Sequence, residues 1–169
     1  SINLAITFAR DLNKKSILLV DADLRKATLT KDLGLKPDKG LADILSNGAN
    51  IDETLLSIGI DNLHILPAGV RPNNPAELLG THKMKHVISE IREKYDFVII
   101  DCPPVVPVVD ASLIGAQCDG MLMVLQAGRT QRGIVLHAQD RLSSTHAKVL
   151  GYCMTNIEYH IPEYIYRYL

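Results

Sequence analysis

The chain has 169 residues, enough for one domain with a sizeable core, and 47% of them are hydrophobic, as in an ordinary globular protein. A formal net charge of −1 gives no electrostatic footprint for nucleic acid or an anionic membrane, so no nucleic-acid partner is expected. The three cysteines stand far apart with no C-x-x-C spacing, which points to a reducing, cytosolic compartment, and no apolar run reaches the ~18–20 residues a bilayer crossing needs.

Helical and strand patterns alternate along the chain. Ile2, Ala5, Ile6, Ala9 and Leu12 fall on one helical face. Residues 16–20 form a short apolar run ending in an acid, the pattern of a strand buried on both faces of a parallel sheet. Leu41–Leu45, between Gly40 and Gly48, predicts a short helix, and 63–66 a second strand. Asn74-Pro-Ala-Glu77 offers an N-cap, a proline at the first helical position and a glutamate at the third, for a helix ending near Gly80. Thr81 then caps a helix whose Met84, Val87, Ile88 and Ile91 share a face. Residues 97–100 predict a third strand, again followed by an acid. Asp110 is placed to cap Ala111–Gln117, and 121–125 predict a fourth strand. Thr130 is placed to cap a helix through about Ser143 with Ile134, Ala138 and Leu142 inward. Residues 149–153 predict a fifth strand. Five strands separated by helices imply an α/β fold: a doubly wound, mainly parallel sheet. Residues 1–156 read as its core and 157–169 as a tail.

In such a sheet ligands bind beyond the carboxyl ends of the strands. Two strings deliver acids there: Ile17-Leu-Leu-Val-Asp21-Ala-Asp23-Leu-Arg25-Lys26 and Asp96-Phe-Val-Ile-Ile-Asp101-Cys-Pro-Pro104. Carboxylates at the ends of apolar strands are costly without a cation or donors. Asp21, Asp23 and Asp101 are therefore candidates to converge on a hard divalent metal such as Mg²⁺, with one of the first pair free to accept a proton. The alternative is that each aspartate caps the turn that follows it. Arg25 and Lys26 read either as phosphate-steering or subunit-pairing cations or as a solvated basic pair. His82 and His86, spaced i, i+4 without an acid partner, read as a surface face rather than a zinc site.

The first string resembles the second Walker A-type motif of bacterial tyrosine autokinases of the exopolysaccharide and capsule type, and the second resembles their Walker B strand. Gly34-Leu35, Gly40–Leu45, Asn74–Leu79, Gly128-Arg-Thr130 and Asn156 follow in the family's order. The wider relatives are MinD/ParA-type deviant Walker ATPases. The resemblance implies a P-loop NTPase-like fold, ATP and Mg²⁺ as ligands, and Asp21, Asp23 and Asp101 as metal-binding and catalytic acids. It places Asn156 against adenine, with a simple turn residue as the alternative. Tyr159, Tyr164, Tyr166 and Tyr168 in the last eleven residues resemble the family's phosphorylated tyrosine cluster, with packing anchors as the alternative. The implied activity is ATP-dependent tyrosine autophosphorylation between subunits of a homo-oligomer, governing polysaccharide synthesis or export. The implied location is the inner face of the bacterial plasma membrane, reached through a transmembrane chain-length partner or a fused domain. A MinD/ParA-type positioning switch is the alternative; Glu158, Glu163 and Pro162 in the tail argue against a membrane-binding helix. The phosphate-cradling glycine-rich loop is absent, and Ser1 resembles a residue about one turn inside the helix that follows it. That loop and its strand are expected upstream, and Ser1–Leu169 alone is expected to be a poor ATPase.

Overall fold

The computed structural model describes residues 1–12 and 15–158. In chain order the elements are α1 (Ile2–Asp11), β1 (Ile17–Asp21), α2 (Thr28–Asp32), α3 (Leu41–Asn47), α4 (Ile51–Thr54), β2 (Leu56–Ser57), β3 (Leu63–Leu66), α5 (Pro75–Leu79), α6 (His82–Lys94), β4 (Phe97–Asp101), α7 (Asp110–Gly115), β5 (Met121–Gln126), α8 (Arg132–Ser144) and β6 (Val149–Thr155). The four-residue or shorter pieces α4 and β2, and the five-residue α2, lie outside the sequence expectations. They are too short to show a period.

β1 is buried along its whole length because both of its faces are covered. Ile17 and Leu19 face one layer with Leu63 and Ile65 of β3, where Ala5 and Ala9 let α1 approach the sheet closely. Leu18 and Val20 face the other layer, packed with Leu41 and Leu45 of α3, Leu79 of α5 and Met84, Val87 and Ile91 of α6. This is the doubly wound arrangement, and each fully buried leucine or isoleucine contributes about 1.5–3 kcal/mol. Parallel pairing runs β3-β1-β4, with Ile17 level with both Leu63 and Phe97.

The sheet differs from expectation in two ways. β2 pairs antiparallel to β3 at the outer edge, so the four-stranded sheet is mixed, in the order β2-β3-β1-β4. β5 and β6 do not continue it: they form a separate parallel pair, packed on α8 through Met123, Ala138, Leu142 and Ala147. Among the described residues, β4 and β5 each therefore leave one edge unpaired. β4 consequently exposes Phe97, an apolar residue that a central strand would bury.

Three capping expectations are corrected. Val109, not Asp110, precedes α7, which stops at Gly115 rather than Gln117; Asp110 has a different partner, described below. Gln131 precedes α8, Thr130 Oγ1 accepts from the Gln126 amide instead, and Ile134 is exposed. Asn74 does precede α5, but its side chain donates to Glu77 rather than capping the backbone. Thr81 caps α6 as expected, accepting from the Met84 amide.

At the amino ends of β1 and β4 a polar staple fixes the register. Asp96 accepts from the Ser16 amide at 2.9 Å, the Ser16 hydroxyl at 3.0 Å and Lys15 Nζ at 2.7 Å. These donors hold the Asp96 carboxyl down at about 2, below the usual carboxylate range.

Candidate active site at the carboxyl edge of the sheet

The register that pairs Ile17 with Phe97 carries through to the strand ends, where Asp21 is level with Asp101. Adjacent strands lie ~4.8 Å apart, so the two acids are neighbours because both strands are five residues long and start in step. The ladder extends one residue further, the Ala22 amide donating to the Asp101 carbonyl at 2.9 Å.

Asp21 is fully buried. Its Oδ2 accepts from the Thr30 amide at 3.1 Å and the Thr30 hydroxyl at 2.7 Å, which makes it a remote cap for α2. Among the described residues its Oδ1 has no hydrogen-bond partner. Burial pushes the Asp21 carboxyl up from its ordinary value, the Thr30 bonds pull it part of the way back, and the neighbouring Asp101 charge raises it further. An orphaned, buried carboxylate oxygen beside a second acid is the electrostatic signature of a place that a cation completes.

Asp23 behaves differently. The chain turns after β1, and Asp23 Oδ1 accepts from the backbone amides of Arg25 and Lys26, both at 3.1 Å. For this residue the turn-cap alternative is what the structure shows. Among the described residues no group of three or more His, Cys, Asp or Glu side chains is placed to hold a metal ion. The structure thus brings Asp21 and Asp101 together and gives one oxygen of Asp23 to the turn.

Arg25 is paired with an acid and partly exposed. Its Nε and Nη2 donate to the two carboxylate oxygens of Asp110 at 2.7 and 2.9 Å, and the Asp110 side chain is fully buried. This bidentate pair ties the turn after β1 to the start of α7. The Asp110 carboxylate also raises the Arg25 guanidinium above its already high ordinary value. Sequence reasoning missed this pairing because the partners are eighty-five residues apart. It missed Thr30, although only nine residues on, because nothing in the spacing links a threonine on α2 to Asp21.

A cleft of about 350 Å³ opens beside these acids, lined by Ser1, Ile2, Asn3, Thr28, Leu29, Asp32 and Asp101. It lies between the amino end of α1 and α2, and the Ser1 hydroxyl donates to Asp101 at its edge. Asn156 follows β6 of the two-stranded sheet, exposed and in the left-handed region (φ 53°). His82 and His86 line a second cleft of about 490 Å³, between α3 and α6. Tyr159, Tyr164, Tyr166 and Tyr168 lie outside the described residues.

A doubly wound α/β domain with acids at the carboxyl ends of two adjacent central strands is of the P-loop NTPase-like class. The AAA domain family matches residues 1–140. The chain is similar to the tyrosine-protein kinase YwqD of Bacillus subtilis, 36% identical over 152 residues, covering 90% of this chain and 63% of the relative. It is similar to the tyrosine-protein kinase CpsD of Streptococcus pneumoniae, 30% identical over 168 residues, covering 97% of this chain and 72% of the relative. Among solved structures it resembles the chimerical protein CapA2B2, with a TM-score of 0.87 at 29% identity, covering 94% of this chain and 69% of that one. The chain belongs to the AAA domain family and, within it, to the bacterial tyrosine-protein kinases. It spans somewhat less than two thirds of the length of YwqD and of several CpsD relatives.

Proposed function

We propose that this chain forms most of the phosphoryl-transfer core of an ATP-dependent protein-tyrosine autokinase that regulates polysaccharide synthesis or export. The observation that carries the proposal is the side-by-side placement of Asp21 and Asp101 with Asp21 Oδ1 unsatisfied. These residues fit Mg²⁺, which is held by one or two carboxylates together with phosphate oxygens and water rather than by a closed cage of side chains. Asp21 and Asp101 would hold it, and it would supply charge neutralisation at the transferring phosphoryl group.

The chain's own residues do the remaining work. Thr30 fixes the rotamer of Asp21, and the Asx turn of Asp23 together with the Arg25–Asp110 pair fixes the loop that follows β1. The remaining oxygen of Asp23 accepts the phenolic proton as the tyrosine oxygen attacks. Asn156, beyond β6, takes the adenine side in this reading. In this reading the unpaired edge of β4 accepts a further parallel strand.

The acceptors in this reading are Tyr159, Tyr164, Tyr166 and Tyr168, presented between copies of a homo-oligomer. The protein works at the inner face of the plasma membrane with a transmembrane activator, separate or fused; no helix among the described residues is long and apolar enough to cross a membrane. The likeness to tyrosine-protein kinases favours this reading over a positioning switch of the MinD type, to which the likeness is more distant.

The test is autophosphorylation of the full-length protein with ATP and Mg²⁺. Asp101→Asn is expected to abolish turnover while the melting curve stays cooperative, and turnover near the parent's would refute the metal role. Replacing the four tail tyrosines by Phe is expected to remove most incorporated phosphate yet retain nucleotide binding. Undiminished incorporation would place the acceptors elsewhere.

A further inference from the structure

The segment between β3 and α5, residues 67–74, plays no part in the site so far. Its base is fixed unusually firmly. The carbonyls of Pro67 and Ala68 accept from the amides of Leu41 and Ala42 at 2.8 and 2.9 Å. Asp43 Oδ2 accepts from the amides of Gly40 and Val70 at 2.9 and 3.2 Å. Gly69 sits at φ +81°, and a Cβ there would come within 2.3 Å of Asp43 Oδ2, so only glycine lets the backbone pass. Pro67, Pro72 and Pro75 stiffen the path on either side.

What this scaffold displays is an apolar side chain and a cation. Val70 is 65% exposed, although it is aliphatic and the backbone beneath it is pinned. Arg71 is exposed and, among the described residues, makes no ion pair or side-chain hydrogen bond. The tip also stands near the acids. Leu66 is level with Val20, so Pro67 is level with Asp21 on the neighbouring strand. With ~4.8 Å between strands and at most ~3.6 Å per residue, Val70 lies within about 16 Å of Asp21.

The tail carries complementary chemistry. Glu158-Tyr159 and Glu163-Tyr164 repeat one dipeptide, an acid immediately before a tyrosine, whereas Tyr166 and Tyr168 follow Ile165 and Arg167. We propose that the Val70–Arg71 tip docks the tail of a second copy of this chain, Arg71 pairing with the glutamate that precedes the acceptor tyrosine. This rests on the autokinase reading and adds its acceptor specificity. Val70 supplies an apolar shelf beside the peptide, and the pinned base means that little ordering entropy is lost on docking. Arg71 thereby selects Tyr159 and Tyr164 over Tyr166 and Tyr168.

The test pairs an active full-length copy with a separately tagged full-length Asp101→Asn copy as substrate, and reads the occupancy of each tail tyrosine by mass spectrometry. With Arg71→Glu in the active copy, phosphorylation of Tyr159 and Tyr164 relative to Tyr166 and Tyr168 is expected to fall roughly three- to tenfold, the range of a partly exposed charged pair. Glu158→Lys with Glu163→Lys in the substrate copy is expected to restore the ratio for the Arg71→Glu enzyme and to lower it for the parent enzyme. An unchanged ratio with Arg71→Glu, or a fall that the charge swap does not reverse, would overturn the proposal. No tail phosphorylation by the parent enzyme would overturn the autokinase reading and this inference with it.

Discussion

Replacing Asp21 by Asn separates the cost of the site from its use. In the unliganded protein the Asp21 carboxylate is buried, one of its oxygens is held by Thr30, and the other is orphaned beside Asp101. Because burial raises this carboxyl above its unfolded value, its ionised form costs stability. The cost is absent below the ordinary carboxylate range and grows to its full size as pH rises through the folded-state value. Asparagine keeps an oxygen for Thr30 and removes the charge, but leaves a polar group at the orphaned position. An unsatisfied buried polar group costs about 1–3 kcal/mol, so removing only its charge should recover about 1 kcal/mol at pH 7. For a domain of this size that is a rise in Tm of roughly 2–4 °C. Mg²⁺ with a non-hydrolysable ATP analogue should reverse the order, because ligand at a hundredfold its Kd adds about 2.7 kcal/mol to the parent and much less to the variant. Thermal melts of the full-length protein at pH 7, with and without Mg²⁺ and analogue, and again near pH 4, read all three effects. An unliganded variant no more stable than the parent at pH 7, or one that gains the full ligand shift, would refute the reasoning.

Two further outcomes follow from ion pairs. Arg25→Ala leaves the fully buried Asp110 carboxylate without its cation, whereas Asp110→Asn leaves Arg25 a third exposed to water, so denaturant melts should show the arginine variant to be the less stable of the two. The Asp96 carboxyl is held below its ordinary value by Lys15 and Ser16, so its contribution to stability is present above pH 3.8 and is lost as pH falls toward about 2. Asp96→Asn should flatten the part of the acid-unfolding curve between those limits; a curve of unchanged slope there would remove the staple's role.

The sequence by itself determined the elements that carry a period and the ends of the strands. β1 and β3 were legible because a strand buried on both faces must be apolar throughout, β4, β5 and β6 because they are apolar runs of strand length even though much of their surface is exposed, and α1 and α6 because their buried residues recur at helical spacing. Asp21 and Asp101 were legible because a charge terminating such a run needs a partner. Tertiary structure alone decided the partners. Whether Asp23 turned toward a cation or into its own turn depended on two backbone amides, and both outcomes suit the same three letters. Arg25 and Asp110 each carried a plausible local role, and only the packing of α7 against the β1 turn joined them across eighty-five residues. The break between β4 and β5 was equally invisible, because an apolar strand looks alike whether one or both of its edges are paired: hydrogen bonding along an edge belongs to the backbone, which every residue shares.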